Sequence, residues 1–539
     1  MSSDSPALSA NPPPPSRVFK AFCVVTIVFL FSQILLYGHG RDQGIYSVVA
    51  RTVLEGGMPY RDAWDFKPPG IFIVFALARL AFGSGDVAIR VLEVLGLGLT
   101  GLGLVELTRR HWNDARIGML AAVIMTLIHA QLEFWHTAQP ESFGGMLTIA
   151  ALLFAPRPNK ETTSRDWFVS GVLFGIAGLL KPPLAGGALI PLLVYAWTNL
   201  RAGDPPPWKV TFRGLVRPTL LVAAGGATPI VLCLLWFVAR GSFGDLYRVL
   251  FVFTPHYTAL GWKDSTITGM TYYSFTEWLQ QYGSVPTVGL LLALGFGFGS
   301  KEKPLAVLAM GVVAMHLIGV TMQGKFFPYH YGATWPVTAI LAAHGYHQLA
   351  ARTTTRKSKV AFWAFIIIII FCRTAAKDVP ESYLKRTMRR IKLIAGGLRD
   401  QKTKDELASI ADVSCTRNRA VANLLKEKVP ADRPIFVWGF EPQIYDLAER
   451  KSASRYIYDV PQRVEWAKEE HRTVLMNDLQ KSPPAAIVVE RHDVFPHVTG
   501  NGLGSADSLK DFAPLQNLIQ EKYALAATIE DMDVFIAKP

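Results

Sequence analysis

The sequence is poor in charge and in cysteine. Only 18% of its 539 residues are charged and 50% are hydrophobic, so the mean hydropathy is positive, at +0.25. A soluble protein of this size usually carries more charge, and the composition therefore favours a membrane protein. The four cysteines, three of which lie in apolar runs, argue against a disulfide framework and against a cysteine-based metal site.

Familiar catalytic motifs are missing as well, because the sequence has no zinc-binding, P-loop or Ser-His-Asp signature. The Gly-x-Gly-x-x-Gly match at 96–101 follows no predicted strand and lies inside an apolar run, so packing of small residues between helices explains it better than dinucleotide binding. Arg90 and Glu93, about one helical turn apart, are expected to pair with each other or a neighbour, with substrate contact as the alternative. The net charge of +13 calls for no nucleic acid, because it is concentrated in loops between apolar runs.

Long apolar runs fill the first 376 residues. A transmembrane helix needs about 20 apolar residues, or fewer when polar flanks reach the interface. We therefore predict an all-α membrane bundle of about eleven transmembrane helices, at 19–37, 87–107, 117–135, 142–155, 167–180, 184–199, 218–239, 285–299, 304–322, 333–350 and 360–376. The shorter run 70–83 contains Arg79 and is predicted to be an interfacial helix that does not cross.

The two ends of the chain differ from this apolar part. Residues 1–18 are rich in Pro and Ser and are predicted to be a disordered cytoplasmic tail. Residues 377–539 have a soluble composition, so a boundary is predicted at Lys377, between a transmembrane domain of 19–376 and a soluble domain. The stretches RPIFVWGF, SRYIYDV, PAAIVVE and DVFIAK are typical of buried strands and 404–427 of helix, which predicts an α/β fold.

The charges of the loops indicate their sides. With the N-terminus in the cytoplasm and 70–83 not crossing, the cytoplasmic loops are all short and basic, as the positive-inside rule requires. These loops are 108–116, 156–166, 200–217, 300–303 and 351–359. The opposite loops contain most of the His, Asp, Glu and Tyr outside the spans, and the odd number of spans places the C-terminal domain on that outer side too.

The first outer loop carries the densest group of candidate functional residues. Asp42 follows the first span, and the apolar residues after it recur at helical spacing up to Gly56, which predicts a surface helix. Asp65 and Lys67 then precede Pro-Pro, which cannot continue a helix and holds the preceding residue extended. Lys67 is therefore expected at a fixed point beside the membrane.

Further candidates come from three later outer segments. Glu141 opens the fourth span, where it is either a functional acid or a carboxylate that stabilises the helix N-terminus. Lys181 precedes a second Pro-Pro pair, with ordinary snorkelling as the alternative. The last segment contains Lys325, Tyr329, His330 and Tyr331, which combine a cation with hydrogen-bond donors, against the alternative of an interfacial aromatic belt.

Acids and spaced cations beside a bilayer suit an anionic lipid headgroup whose bond is to be broken. Lysines and a histidine offset the charge of a phosphate leaving group, and an aspartate takes the proton from an incoming hydroxyl. This describes glycosyl transfer from a polyprenyl-phosphate sugar. A transporter or flippase for such a lipid would place paired charges near the midplane of the membrane, in repeated broken spans, and a protein that only binds the lipid is a further alternative.

The order of these segments resembles the GT-C superfamily of integral-membrane glycosyltransferases. The resemblance rests on the acid after span one, IYSVVARTVLEGGMPY, DFKPPG, TAQPESF and FPYHY, and it covers most of 19–376. Within the superfamily, the sequence is most similar to the bacterial branch related to protein O-mannosyltransferases, the lipid A aminoarabinose transferase and the lipopolysaccharide-core galacturonosyltransferases. The resemblance implies an outward-facing site in the bacterial inner membrane, a polyprenyl-phosphate sugar as donor, and inversion at the anomeric carbon.

The resemblance also implies roles for single residues. Asp42 corresponds to the catalytic base, and Glu141 to the second-loop acid, which is commonly Asp in the family. Lys67 corresponds to the lysine that contacts the donor phosphate, and Asp65 to the acid before it. Further donor-site positions match Lys181, Lys325, His330 and Tyr331. The acceptor is expected to be an envelope glycolipid, glycan or protein; no cofactor is expected to be required, although relatives differ in their use of a divalent cation.

Overall fold

The computed structural model describes residues 14–157, 161–201, 208–281, 283–372, 381–398, 400–409 and 413–539. The helices before residue 373 are Arg17–Ile34 (α1), Arg41–Leu54 (α2), Gly70–Phe82 (α3), Asp86–Trp112 (α4), Ala115–Leu132 (α5), Pro140–Leu152 (α6), Ser164–Leu180 (α7), Leu189–Arg201 (α8), Trp208–Ala239 (α9), Phe243–Tyr247 (α10), Thr254–Trp262 (α11), Ile267–Gln281 (α12), Ser284–Phe296 (α13), Lys303–Gln323 (α14), Trp335–Ala351 (α15) and Arg356–Cys372 (α16).

Each predicted span falls on one of these helices, although 373–376 lie outside the described residues. Among the described residues, five helices are long and apolar enough to cross a membrane, namely α1, α4, α5 with the turn that follows it, the Gly214–Ala239 part of α9, and α14. The other helices are shorter: α6 and α13 have 13 residues each, which at about 1.5 Å per residue is less than a bilayer core. The protein is thus a helical membrane protein.

The predicted N-terminal tail is partly helical. Residues 1–13 lie outside the described residues, but α1 already begins at Arg17, so the predicted boundary at residue 18 is too late by one or two residues. The hydroxyl oxygen of Ser16 accepts a hydrogen bond of 3.2 Å from the backbone N–H of Phe19. This N-cap satisfies one of the free donors of the first turn and explains why the helix starts there.

Close contacts between helices explain the glycines of the apolar runs. A Cβ atom added to Gly345 of α15 would lie 2.0 Å from the carbonyl oxygen of Gly289 on α13, and one added to Gly171 of α7 would lie 2.3 Å from that of Val222 on α9. Small residues let helices pack this closely in a membrane, where the hydrophobic effect does not drive helices together. The run at 96–101 lies inside α4, so the interpretation as a packing motif is confirmed over dinucleotide binding.

The basic loops predicted to share one side of the membrane do meet at one end of the bundle. The indole N–H of Trp112 donates to the carbonyl oxygen of Glu302 at 3.1 Å, and Arg110 donates to that of Leu153 at 3.0 Å. The guanidinium of Arg217 likewise reaches the hydroxyl of Ser164 at 2.8 Å. These contacts bring the segments at or next to four of the five basic loops close to one another.

The loop before α3 and the last part of α3 contact the C-terminal domain. Before α3, Asp65 accepts a hydrogen bond from Tyr458, and near its end Arg79 lies 3.0 Å from Asp446. The first turn of α4 is also held there, because the side-chain amide of Gln443 donates to Asp86 at 3.2 Å. The segment from Asp65 to Arg79, which includes α3, is therefore joined to the C-terminal domain at both of its ends.

The C-terminal domain is an α/β domain. Its elements are Tyr383–Gly396 (α17), Gln401–Ala408 (α18), Cys415–Lys428 (α19), Ile435–Trp438 (β1), Gln443–Ala448 (α20), Lys468–Lys481 (α21), Ala486–Glu490 (β2), Pro496–Thr499 (α22), Ser505–Lys510 (α23), Ala513–Lys522 (α24), Tyr523–Ile529 (β3) and Met532–Ala537 (β4). The sheet has the order β1-β2-β4-β3, with β1 and β2 parallel and the other pairs antiparallel. The predicted boundary at Lys377 lies outside the described residues.

Three of the four predicted strands are confirmed, and one is wrong. SRYIYDV forms no strand in the sheet; its Tyr456 makes only an isolated bridge to Trp64 of the first outer loop. The missed strand is β3, whose side chains are mostly exposed and partly alanine, and which therefore has no buried apolar pattern. The predicted helix 404–427 is interrupted between α18 and α19. SRYIYDV instead serves the candidate functional site.

Candidate functional site

Asp42 lies in the first turn of α2, where the helix dipole favours a carboxylate. The turn is held in place because the side-chain oxygen of Gln43 accepts a hydrogen bond of 2.9 Å from the backbone N–H of Gly40, and its amide donates to the carbonyl oxygen of Thr137 at 2.8 Å. The amide of Gln139 approaches Asp42 Oδ2 at 3.5 Å. Asp42 is 8% exposed, so its carboxylate has little water around it.

Lys67 is the cation nearest to this carboxylate, with its Nζ 3.8 Å from Asp42 Oδ1. The Pro-Pro pair ends the loop as predicted, because α3 begins only at Gly70. The backbone of Lys67 is also held in place, since the hydroxyl of Tyr60 donates to its carbonyl oxygen at 2.8 Å. Burial opposes protonation of Lys67, but the neighbouring carboxylates, above all Asp42, outweigh it and raise its pKa. Lys67 is therefore a fixed, charged ammonium group.

Asp65 is fully buried beside Lys67. Its Oδ2 accepts a hydrogen bond of 3.4 Å from the backbone N–H of Lys67, and its Oδ1 accepts one of 2.7 Å from the hydroxyl of Tyr458 in the C-terminal domain. Burial raises the pKa of Asp65, and the charge of Lys67 and the hydrogen bond from Tyr458 oppose this increase. The carboxyl group of Asp65 thus joins the first outer loop to the C-terminal domain.

Glu141 and Lys181 form a second buried ion pair. Lys181 Nζ lies 2.8 Å from Glu141 Oε1, and Glu141 stands in the first turn of α6, where the helix dipole favours a carboxylate. The second Pro-Pro pair ends α7 just before Lys181. Neither side chain lines the cavity described below, but the charge of Glu141 is among those that raise the pKa of Lys67.

The predicted site residues of the segment 325–331 differ in how close they lie to the site. Lys325 Nζ donates to the carbonyl oxygen of His497 at 2.7 Å and lies 4.5 Å from the centre of the Tyr257 ring; burial lowers its pKa to about 8. His330 Nδ1 lies 2.6 Å from the carbonyl oxygen of Lys325. Tyr331, predicted as a donor-site residue, is fully buried in the core of the bundle and does not line the cavity, where Tyr329 lies instead.

A cavity of about 460 Å³ lies between the bundle and the C-terminal domain. Asp42, Asp65 and Lys67 lie on its wall, and most of the remaining lining is apolar or aromatic. Further lining residues include Arg41, Phe66, Trp135, Tyr257, Tyr329, Arg386, Arg389, Phe440 and Phe495. A cavity that combines charged side chains of both signs with mostly apolar walls suits an amphiphilic ligand with a charged headgroup.

Several wall residues were not predicted from the sequence. Arg41 is held 3.0 Å from Glu441 of the C-terminal domain, and its guanidinium lies 5.0 Å from the centre of the Phe495 ring. Arg386, on the amphipathic helix α17, lies 3.0 Å from Glu133. Tyr458, which donates to Asp65 but does not itself line the cavity, belongs to the stretch interpreted as a strand. None of these positions is next to a predicted site residue in an outer loop, except Arg41, so sequence spacing gives no signal for them.

The acids of the site already have partners. Asp42 pairs with Lys67, Glu141 with Lys181, and Asp65 accepts from Tyr458. In the part of the chain that the structure describes, no group of three or more His, Cys, Asp or Glu side chains is arranged to hold a metal ion.

Comparisons with known proteins agree with this architecture. The family model for dolichyl-phosphate-mannose-protein mannosyltransferase matches residues 66–210, and that for the C-terminal domain of the competence-induced protein Ccs4 matches 416–505. An undecaprenyl phosphate-alpha-4-amino-4-deoxy-L-arabinose arabinosyl transferase of Pseudomonas aeruginosa is 25% identical over 246 residues, 43% of each chain. A second such transferase, from Pseudomonas fluorescens, is 28% identical over 219 residues, 38% of this chain and 36% of its own. The chain therefore spans less than half the length of the curated relatives it matches.

Solved structures extend the likeness to almost the whole chain. A crystal structure of ArnT from Cupriavidus metallidurans bound to undecaprenyl phosphate has a TM-score of 0.60 and 16% identity, and covers 97% of this chain and 100% of its own. The apo structure of the same protein has a TM-score of 0.55 and 14% identity, covering 97% and 98%. The chain therefore has the fold of these ArnT structures over almost its whole length.

Proposed function

We propose that the protein transfers a sugar from a polyprenyl-phosphate donor to an acceptor of the cell envelope, a glycolipid, a glycan or a protein, with inversion at the anomeric carbon. The observation that carries this proposal is the 3.8 Å pair of Asp42 and Lys67 on the wall of a largely apolar cavity. A base and a phosphate-binding cation side by side match the two charges that glycosyl transfer must handle.

The similarity to known transferases supports this class of donor. The curated relatives are named for undecaprenyl phosphate-linked aminoarabinose, and the ArnT crystal structure contains undecaprenyl phosphate. The apolar and aromatic walls of the cavity, among them Phe66 and Tyr257, suit the polyprenyl chain next to the phosphate.

In the proposed reaction, Asp42 accepts the proton of the acceptor hydroxyl. The oxygen of that hydroxyl attacks the anomeric carbon and forms the new glycosidic bond, while the bond from that carbon to the phosphate oxygen breaks. The electron pair leaves with the polyprenyl phosphate, whose added negative charge is stabilised by the ammonium of Lys67. A single displacement of this kind inverts the anomeric carbon.

The other predicted residues support these two. Asp65 keeps Lys67 charged and joined to the C-terminal domain through Tyr458. Glu141 holds Lys181 and adds negative charge behind Lys67, so in our proposal it adjusts the charge of the site and is not the base. Lys325 lies against Tyr257 and adds positive charge near the cavity. His330 packs against Tyr329 as a neutral ring, because burial, together with the nearby charge of Lys181, lowers its pKa well below the usual value.

We propose that the bundle has eleven spans and that the site faces outward, with a cytoplasmic N-terminus. The clustering of the short basic loops at one end, and of Asp42, Lys67 and the C-terminal domain at the other, supports this orientation in the bacterial inner membrane. We also propose that transfer requires no divalent cation, since Lys67 and Lys181 already neutralise the acids that could bind one.

The proposal is tested with the purified chain in lipid vesicles, using undecaprenyl-phosphate sugars labelled in the sugar and acceptors extracted from bacterial envelopes. Transfer of label into an acceptor, with free undecaprenyl phosphate as the second product, is expected, and it should persist in EDTA. Movement of intact labelled donor across the bilayer without transfer would instead identify a flippase. Binding with neither outcome would identify a lipid-binding protein.

A further inference from the structure

A second pocket lies on the opposite side of the first outer loop from the cavity. Side chains alternate along the loop: Asp65 faces Tyr458, whereas Trp64 lines the second pocket together with Tyr456. The two segments are joined backbone to backbone, since the N–H of Trp64 donates to the carbonyl oxygen of Arg455 at 2.8 Å. The same wall therefore separates two sites, and this pocket has a volume of about 180 Å³.

One side of the pocket is built from an unusual backbone. Between α10 and α11 the chain forms a π-helical turn, Arg248–Phe253, and four of its six residues line the pocket. π-Helical turns are rare and occur frequently at functional sites, because they displace side chains from the regular helical positions. Here the turn points Phe253 towards Trp64, with a ring-to-ring distance of 4.9 Å.

The pocket is lined by aromatic rings from both domains. The ring of Trp466 lies 5.7 Å from that of Phe253 and stacks on His256 at 6.4 Å and 15°. Tyr456 closes the base through a 2.6 Å hydrogen bond between its hydroxyl and His471 Nδ1. Burial lowers the pKa of His471 to about 4, so this ring is neutral at ordinary pH. These rings thus form an uncharged aromatic surface within the pocket.

Polar groups stand around this aromatic surface. Asp245, Arg248, Arg455 and Glu470 line the pocket. Among the described residues, neither Arg248 nor Glu470 forms a salt bridge, and the buried indole N–H of Trp466 has no hydrogen-bond partner. A buried donor and two free charged groups at one opening are the features of a pocket that a polar ligand completes.

We propose that this pocket binds a pyranose sugar. A pyranose ring has an apolar C–H face, which fits the aromatic surface, and hydroxyl groups at its edge, which donate to Asp245 and Glu470 and accept from Arg248 or the Trp466 indole. Because the Trp64 and Tyr456 wall separates the pocket from Asp42, it holds a sugar unit other than the one transferred. That this unit belongs to the acceptor rests on the proposed function.

Saturation-transfer NMR on the full-length purified chain tests the proposal, with methyl glucoside, mannoside, galactoside and N-acetylglucosaminide as probes at about 10 mM. At least one probe is expected to bind, with strongest transfer at its ring C–H protons. Trp466→Ala should weaken binding at least about fivefold, and Glu470→Gln about threefold, since these remove a ring contact and a charged hydrogen bond. Trp466→Phe keeps a ring and should retain most of the binding.

Lys67→Met serves as the matched control. It changes the cavity that Asp42 and Lys67 line, on the other side of the wall formed by Trp64 and Tyr456, and it should leave pyranoside binding in the second pocket unchanged. The inference is overturned if no pyranoside binds, if Trp466→Ala binds as well as the wild type, or if phenylalanine methyl ester binds in preference to every sugar. Pyranoside binding without glycosyl transfer would contradict only the proposed function. Transfer without pyranoside binding would contradict only this inference.

Discussion

The hydroxyl of Tyr458 donates a hydrogen bond of 2.7 Å to Asp65, across the interface between the C-terminal domain and the first outer loop. Both side chains are buried, and Asp65 is in turn bonded to the backbone of Lys67. The C-terminal domain therefore completes the site and does more than cover it.

Removing this hydroxyl should disturb the site through Asp65. Tyr458 opposes the effect of burial on the pKa of Asp65, so in Tyr458→Phe that pKa rises further and the carboxyl is protonated at higher pH. We expect kcat/KM to fall about five- to tenfold, as for loss of one hydrogen bond to a charged group, and the acid limb of the pH profile to move to higher pH. Tyr523→Phe, which removes a hydroxyl bonded to the carbonyl oxygen of Pro484, is the control. An unchanged acid limb would contradict the assigned role.

Lys67 should determine the affinity for the lipid phosphate. In Lys67→Met the Kd for undecaprenyl phosphate should rise at least about tenfold, because a buried charge-assisted contact is lost while the apolar walls remain. Scintillation proximity or native mass spectrometry measures this binding. Lys451→Met is the control, since Lys451 is 74% exposed and pairs with Glu55 outside the cavity. Equal affinities of both variants would argue against Lys67 as the phosphate ligand.

Lys325 should make donor binding sensitive to alkaline pH. Burial lowers its pKa to about 8, so its charge is present below that pH and lost above it, whereas Lys67 stays charged. The KM for a lipid-linked sugar should therefore rise about three- to fivefold between about pH 7 and 9, the effect of one nearby charge. Lys325→Arg should give a flat profile. The protein should also become more stable from about pH 8 to 10.5, where the unfolded lysine binds more protons than the folded one.

The carboxylate of Asp446 should stabilise the folded protein. It accepts from Ser47 at 2.6 Å and lies 2.8 Å from Arg51 and 3.0 Å from Arg79, so it joins α2 and α3 to the C-terminal domain. Asp446→Asn leaves two largely buried guanidinium groups without their carboxylate and should destabilise by about 3 kcal/mol. Thermal aggregation of the detergent-solubilised protein would show a lower midpoint. Asp507→Asn, which removes an exposed pair with Lys510, should leave the midpoint unchanged.

The positions of the helices could be predicted because apolar runs and Pro-Pro breaks act locally. Lys67-Pro-Pro and Lys181-Pro-Pro end their segments as expected. The sequence also made it possible to expect that Asp42 and Lys67 lie near each other, because both belong to the first outer loop. Partners from distant segments were not: Tyr458 is 393 residues from Asp65, and no local pattern links them.

The sequence also could not predict which side chain of the 325–331 segment faces the cavity. Part of this segment belongs to a 3-10 turn, Pro328–Thr334, in which Tyr329 lines the cavity and Tyr331 packs into the core of the bundle with Trp335. Which tyrosine faces the cavity depends on the phase of that turn, and composition alone does not reveal it.

The most direct test of the account is transfer by Asp42→Asn, measured under single-turnover conditions with a labelled undecaprenyl-phosphate sugar. Asp62→Asn is the matched control, because Asp62 lies in the same loop and accepts from the backbone N–H of Met58 outside the cavity. If Asp42 is the general base, Asp42→Asn lowers the transfer rate at least about 10³-fold while the donor still binds. A transfer rate within about tenfold of the wild type would contradict the assignment of Asp42 as the base.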